Sequence, residues 1–64
     1  MSQLQLVVFE KQAQRIALDP GEIAQVVPTI RDDWTMITLR GGHENMVHLD
    51  FQRVVMTINE ARAS

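Results

Sequence analysis

The spacing of apolar residues changes only once along this chain, at Asp50, and this change sets strict limits on the fold. Before Asp50, short runs rich in β-branched and aromatic residues alternate with turn residues, as is typical of β-strands. After Asp50, which can accept hydrogen bonds from the free amides of a helix start, apolar residues recur at helical spacing. The inward stripe of this helix is predicted to be Phe51, Val54, Val55, Ile58 and Ala61.

Turn residues divide the part of the chain before Asp50 into short strands. These strands are predicted at residues 4–10, 15–18, 25–30, 34–40 and 43–49. Joined in chain order, they predict a small antiparallel β-meander or half-barrel of four to five strands, followed by one C-terminal amphipathic helix. The expected class is α+β, as a single domain over residues 1–64 with an ordered core at about residues 4–61.

Several turn signals carry further detail. Gly41 and Gly42 lie between two apolar runs and predict a type I′ hairpin turn, since both central residues of that turn need positive φ. Pro28 has no N–H to donate to a ladder and is expected at a sheet edge or in a bulge. The polar residues 11–14 form a turn of hairpin length, and a further turn allows one turn of helix over residues 20–24.

A chain of 64 residues without cysteine has few sources of stability. Folded domains of this size bury only about 60% of the surface that their unfolded chains expose. Without cysteine there are no disulfides and no thiolate metal sites, which leaves a well-packed core or association with a partner subunit. With 45% hydrophobic and 22% charged residues, the composition is that of a globular chain rather than a disordered one.

Charge and hydropathy limit the classes of partner. The net charge is −2 and the six basic residues are scattered singly, so no long-range attraction for phosphate backbones is expected. No apolar run approaches the roughly 18 residues that span a bilayer, and the first residues lack the basic region of a signal peptide. The chain is therefore expected in the cytoplasm, without a membrane partner.

The strands contain more apolar surface than one helix can cover. A helix packs on one face of a sheet, and the other face of a monomer should be polar. Here, Ile37 and Leu39 share one face of the fourth strand while Trp34 and Met36 share the other, and the first and fifth strands are similarly two-sided. Either the sheet curls into a half-barrel that buries parts of both faces, or the helix-free face or a sheet edge packs on a second copy or another partner.

The sequence offers little for catalysis or metal binding. His43 and His48 would point to opposite faces of an extended strand and do not form a ready metal pair. Glu44, His48 and Asp50 share one face, but no convergent cluster surrounds them. With neither Cys nor Tyr, and with its serines near the two ends, the chain shows no nucleophile pattern. We therefore expect a non-enzymatic protein with no cofactor, no metal and no small-molecule substrate.

The leading interpretation is a protein-interaction module that associates with itself as a homodimer or with another protein as a subunit of a larger assembly. Its candidate contact residues are Phe9, Trp34, Met36 and Met56. The alternative is a small nucleic-acid-binding regulator, since solvated arginines near an aromatic residue can contact nucleic acid. The candidate contacts for that alternative are Arg31, Arg40 and Trp34.

Residues 16–61 resemble the small flagellar and swarming proteins of the FlbD type. The segment that carries the resemblance is IALDPGEIAQVVPTIRDDWTMITLRGGHENMVHLDFQRVVMTINEA. Like those proteins, it has a short strand leading to an acidic turn, a hairpin ending in a glycine turn, and a C-terminal amphipathic helix. The same spacing is similar to the first half of a LytTR-type DNA-binding domain. Either resemblance implies a non-enzymatic accessory or regulatory protein, and neither implies a role for a particular residue.

Overall fold

The computed structural model describes residues 6–63, which form an α+β fold. Its elements are β1 (Val7–Lys11), β2 (Gln14–Leu18), a 3₁₀ turn (Pro20–Glu22), β3 (Ile23–Pro28), β4 (Thr35–Leu39), β5 (Glu44–Val47) and α1 (Phe51–Ala63). The predicted class, the five strands and the C-terminal helix are confirmed. The predicted start of the first strand, at residues 4 and 5, lies outside the described residues.

The strands form two antiparallel sheets that meet without closing a barrel. β1 pairs with β2 in one sheet, and the other sheet has the order β3-β4-β5. The backbone N–H of His48, just after β5, donates to the carbonyl oxygen of Glu10 in β1 at 2.7 Å. The two sheets therefore meet along β5 and β1.

The two hairpin turns differ in detail from the predictions. A two-residue turn, Gln12 and Ala13, joins β1 to β2 where a four-residue turn was predicted. The glycine hairpin between β4 and β5 is confirmed, but the predicted type I′ turn is wrong because the loop has three residues. The N–H of Gly42 donates to the Leu39 carbonyl at 2.9 Å, and Gly42 is the described glycine with positive φ, at 91°. Such a loop needs a single left-handed residue.

Pro28 occupies a position at which its missing N–H removes no ladder bond. β3 is an edge strand of its sheet and pairs with β4 alone, so the expectation of an edge position is confirmed. The bulge of β3 lies at its other end, between Ile23 and Gln25. There the guanidinium of Arg62 donates to the carbonyl oxygens of Pro20 and Ile23 at 3.0 and 3.3 Å. This pair of bonds ties the last turn of α1 to the start of β3.

Helix α1 covers one face of the strands, which we call the inner face. Asp50 caps the helix as predicted, since its carboxylate accepts a hydrogen bond from the N–H of Arg53 at 3.2 Å. Phe51 is 36% exposed, so the buried stripe begins one turn later than predicted, at Val54. The buried core brings together all five strands and the helix. It consists of Val7, Phe9, Leu18, Ile23, Ile37, Val47, Val54 and Ile58.

Thr35 is the buried polar residue of this core and connects β4 to the segment that enters the helix. Its side chain is fully buried, and its hydroxyl donates to the carbonyl oxygen of Leu49 at 2.7 Å. The bond is partly buried, and an acceptor that loses its donor there is left with reduced access to water as a replacement partner.

We expect Thr35→Val to lower the free energy of unfolding by about 1–3 kcal/mol, since the isosteric side chain leaves the Leu49 carbonyl unpaired. Urea denaturation followed by circular dichroism measures the change. Thr38→Val, at an outward position of the same strand, is the matched control and should change stability by less than about 0.5 kcal/mol. Equal stability of Thr35→Val and the parent chain would show that this hydrogen bond contributes nothing.

Candidate protein-interaction surface

The face of the three-stranded sheet that points away from α1, here called the outer face, carries a row of apolar side chains. Strand alternation turns Thr35 and Ile37 inward, where both are fully buried, and therefore turns Met36 outward. The strand register places Val27 of β3 and Met46 of β5 directly opposite Met36, one on each side. Directly opposed residues in antiparallel strands have Cβ atoms only about 5 Å apart, so these three side chains form a continuous row.

The loop between β3 and β4 adds apolar surface beside this row, at the end of the strands that lies away from the glycine hairpin. Ile30 projects from the loop and is fully exposed, at 102% of its reference area. It borders a shallow groove whose floor includes Val27, Met36 and Met46. Trp34, at the end of the same loop, is half-buried and lines an adjoining cleft with Met46. We call the surface formed by Val27, Ile30, Trp34, Met36 and Met46 the outer patch.

The hydroxyl group of Thr29 organises the loop that carries Ile30. It lies 2.9 Å from the carbonyl oxygen of Trp34, to which it donates, and it accepts a hydrogen bond from the N–H of Arg31 at 3.1 Å. The N–H of Trp34 in turn donates to the carbonyl oxygen of Arg31 at 3.2 Å and closes a turn. The direction in which Ile30 projects is thus set by hydrogen bonds on both sides of it.

The indole ring of Trp34 is in contact with the imidazole ring of His48. The two rings are stacked with centroids 4.7 Å apart and an angle of 23° between their planes. Nε2 of His48 lies 3.2 Å from a carboxylate oxygen of Asp33, but both side chains are at least half exposed, so this contact contributes little to stability. Its effect is geometric, because it keeps the imidazole against the indole.

Charged side chains border the outer patch at both ends of its strands. Arg31 and Lys11 line the cleft beside Trp34 and Met46. Glu44 borders the groove at the other end, next to the glycine hairpin. Asp32 and Asp33 lie in the same loop as Arg31, and Asp33 is the carboxylate in contact with His48. The two residues that border the apolar row itself, Arg31 at one end and Glu44 at the other, have opposite charges.

The structure brings together two of the residues predicted for an apolar contact surface and separates the other two. Trp34 and Met36 both lie on the outer patch. Phe9 is 3% exposed and belongs to the core, so its prediction as a contact residue is wrong. The reason is that β1 turns Val7 and Phe9, rather than its even-numbered residues, toward the inner face. Met56 is 61% exposed but lies on α1, on the other side of the sheet from the outer patch.

The residues predicted for nucleic-acid contact do not form one surface. Arg31 and Trp34 lie together at one end of β4. Arg40 lies beyond the opposite end of that strand, where its Nε donates to the carbonyl oxygen of Gly21 at 3.0 Å. Nucleic-acid binding stays a prediction.

Three residues of the outer patch escaped the sequence reasoning. Val27 and Met46 lie beside Met36 through the registers of β3 with β4 and of β4 with β5, and the predicted two-residue glycine turn would have placed Val47 opposite Met36 instead. No sequence signal places Ile30, because its exposure depends on the hydrogen bonds that Thr29 makes within the loop.

Other kinds of site are not indicated by the described part of the chain. No group of three His, Asp or Glu side chains within residues 6–63 is arranged to hold a metal ion. No helix in that range is both long and apolar enough to cross a membrane. Comparisons with models of protein families, with curated proteins and with solved structures found no significant match. The outer patch is thus supported by geometry alone.

We expect Thr29→Val to loosen the loop that carries Ile30, because the isosteric side chain can neither donate to Trp34 nor accept from Arg31. Hydrogen exchange measured by NMR should show faster exchange of the Arg31 and Trp34 amides, with core amides unchanged. Thr29→Ser keeps the hydroxyl and is the matched control. Unchanged loop amides in Thr29→Val would show that Thr29 does not order the loop.

Proposed function

We propose that this chain is a non-enzymatic protein-interaction module that associates with a second copy of itself by packing outer patch against outer patch. The observation that carries the proposal is the unbroken apolar row of Val27, Met36 and Met46, extended by the fully exposed Ile30. Contiguous exposed apolar surface of this kind usually marks an interaction site, because leaving it in water is unfavourable. As an accessory subunit, the chain would act in the cytoplasm.

The distribution of charge favours a second copy as the occupant. Two faces related by a two-fold axis must be complementary to themselves. An axis lying in the interface and running across the strands places the row of one copy over the row of the other and reverses the strand direction. Arg31 of each copy then lies near Glu44 of the other. Opposite charges at the rim select this orientation over one with parallel strands.

The side chains of the outer patch also suit packing against a copy. Ile30 of each copy would lie over the groove end of the other, where Gln25, Thr38 and Glu44 border the apolar floor. Met36 and Met46 have flexible, unbranched side chains that fill irregular gaps. A small core supplies limited stability, and an interface that buries the outer patch adds apolar burial to it.

We expect Met36→Glu to weaken the homodimer about a hundredfold, because a carboxylate at the centre of the patch would be buried without a partner. Sedimentation equilibrium measures the dissociation constant, and circular dichroism checks the fold. Met56→Glu makes the same chemical change on the exposed side of α1 and should leave the dissociation constant unchanged. A parent chain that is strictly monomeric at millimolar concentration, or equal weakening by both variants, would contradict the proposal.

We expect Arg31→Glu and Glu44→Arg each to weaken the dimer by about threefold or more, since each places like charges across the two-fold axis. The double variant Arg31→Glu with Glu44→Arg restores opposite charges and should recover most of the parent affinity. Sedimentation in low and high salt measures both effects, which should shrink as salt screens the charges. Additive weakening in the double variant would rule out this orientation while leaving the patch itself in place.

A further inference from the structure

Strand β2 has an outer edge whose backbone groups are unpaired in the described chain. A two-residue hairpin turn makes Lys11 and Gln14 a hydrogen-bonded pair, so the N–H and C=O groups of Gln14, Ile16 and Leu18 point toward β1. Those of Arg15 and Ala17 therefore point away from it. The Glu10 carbonyl, which is oriented away from β2 to accept from His48, fits the same alternation. Within residues 6–63 no backbone hydrogen bond reaches Arg15 or Ala17 from outside the hairpin.

The other strand edges are occupied or blocked, as edges in natural sheets usually are. β3 carries Pro28 and a bulge on its edge. At the start of β3, the guanidinium of Arg62 donates a hydrogen bond to the carbonyl oxygen of Ile23. The outer edge of β5 meets β1 through the hydrogen bond from His48 to Glu10. β2 contains neither proline nor bulge, and its register with β1 is regular over Gln14–Leu18. Within residues 6–63, β2 is the edge most open to pairing.

We infer that the outer edge of β2 pairs antiparallel with β2 of a second copy, about a two-fold axis at Ile16. This register overlaps the whole strand, Gln14–Leu18, with itself. Arg15 of each copy then faces Ala17 of the other, and each such pair exchanges two backbone hydrogen bonds. The two β1-β2 sheets thereby become one continuous sheet across the axis.

The side chains around the axis fit this pairing. On the inner face, Ile16 is half-buried and packed against the core beside Phe9. The axis brings the two copies of Ile16 together at the short spacing of a non-hydrogen-bonded pair, which removes their remaining exposed surface from water. On the outer face, Ala17 is small enough to leave room for the stem of Arg15 from the second copy. That Arg15 keeps Glu10 of its own hairpin as a neighbour of opposite charge.

The alternative registers are less favourable. An axis at Arg15 would place the two guanidinium groups directly opposite each other, where like charges repel. An axis at Ala17 would leave Gln14 and Arg15 without strand partners, because the residues opposite them, Pro20 and Asp19, lie outside β2. The register centred on Ile16 is the one that uses the full strand.

This inference goes beyond the outer patch and does not depend on it. The edge of β2 and the outer patch belong to different sheets and to different parts of the surface. Each surface is complementary to itself under its own two-fold axis. A chain that uses both would form assemblies larger than a dimer, in which the two kinds of interface alternate.

The test uses two substitutions at one exposed position, Ala17→Lys and Ala17→Glu, each in the Met36→Glu background that disables the outer patch. In the inferred register, Ala17→Lys faces Arg15 of the second copy and should weaken the remaining dimer about tenfold. Ala17→Glu also replaces the small side chain but places the opposite charge on the same arginine, so its dimer should be about tenfold or more tighter than that of Ala17→Lys. Sedimentation equilibrium measures both dissociation constants. Equal effects of the two substitutions, or no association of Met36→Glu at millimolar concentration, would overturn the inference.

Hydrogen exchange provides a second readout that the outer patch does not affect. In the Met36→Glu chain, the amides of Arg15 and Ala17 should exchange freely at low concentration and gain at least about tenfold protection as concentration rises. The amides of Ile16 and Leu18, which are bonded to β1, should be protected at both concentrations and serve as the internal control. Protection of Arg15 and Ala17 that is independent of concentration and is lost on deletion of residues 1–5 would mean that the chain covers its own edge, which also overturns the inference.

Discussion

The packing of α1 against the inner face is the contact on which the rest of the structure depends. Val54 and Ile58 of the helix, together with Ile37 and Val47 of the sheet, are almost wholly removed from water. Burial of such side chains contributes about 1.5–3 kcal/mol each, and in a chain this small few other contributions are available. One helix of this length covers one face of the strands. The composition of the inner face is therefore set by stability, whereas the outer face is left to water or to a partner.

The elements could be predicted from the sequence where a local pattern has one physical meaning. The Asp50 cap, the helical spacing after it and the glycine hairpin before it are determined by backbone chemistry, so the order of elements followed. The burial of Phe9 could not be predicted, because alternation in β1 shows that two faces exist but not which one meets the helix. That choice is made by packing between distant elements. The glycine turn was misassigned for a related reason, since loop length depends on how the flanking strands align.

The candidate surface shows the same division between local and distant information. Trp34 and Met36 could be predicted because they flank Thr35 at the start of β4 and alternate with the core residues of that strand. Their neighbours Val27 and Met46 come from other strands and require a register, which the sequence indicates only weakly. The outer edge of β2 is a different kind of feature, because it consists of backbone groups that every residue possesses. Its availability could be recognised only after the partners of all other edges were known.

The loop that carries Ile30 has a consequence for the thermodynamics of association. A flexible loop that presents an apolar side chain loses conformational freedom when it is ordered by contact, and this loss reduces the binding free energy. Here the Thr29 hydroxyl already fixes the backbone on both sides of Ile30. The ordering is completed when the chain folds, before any partner arrives. Preorganisation of this kind lets a small apolar contact retain most of its favourable free energy.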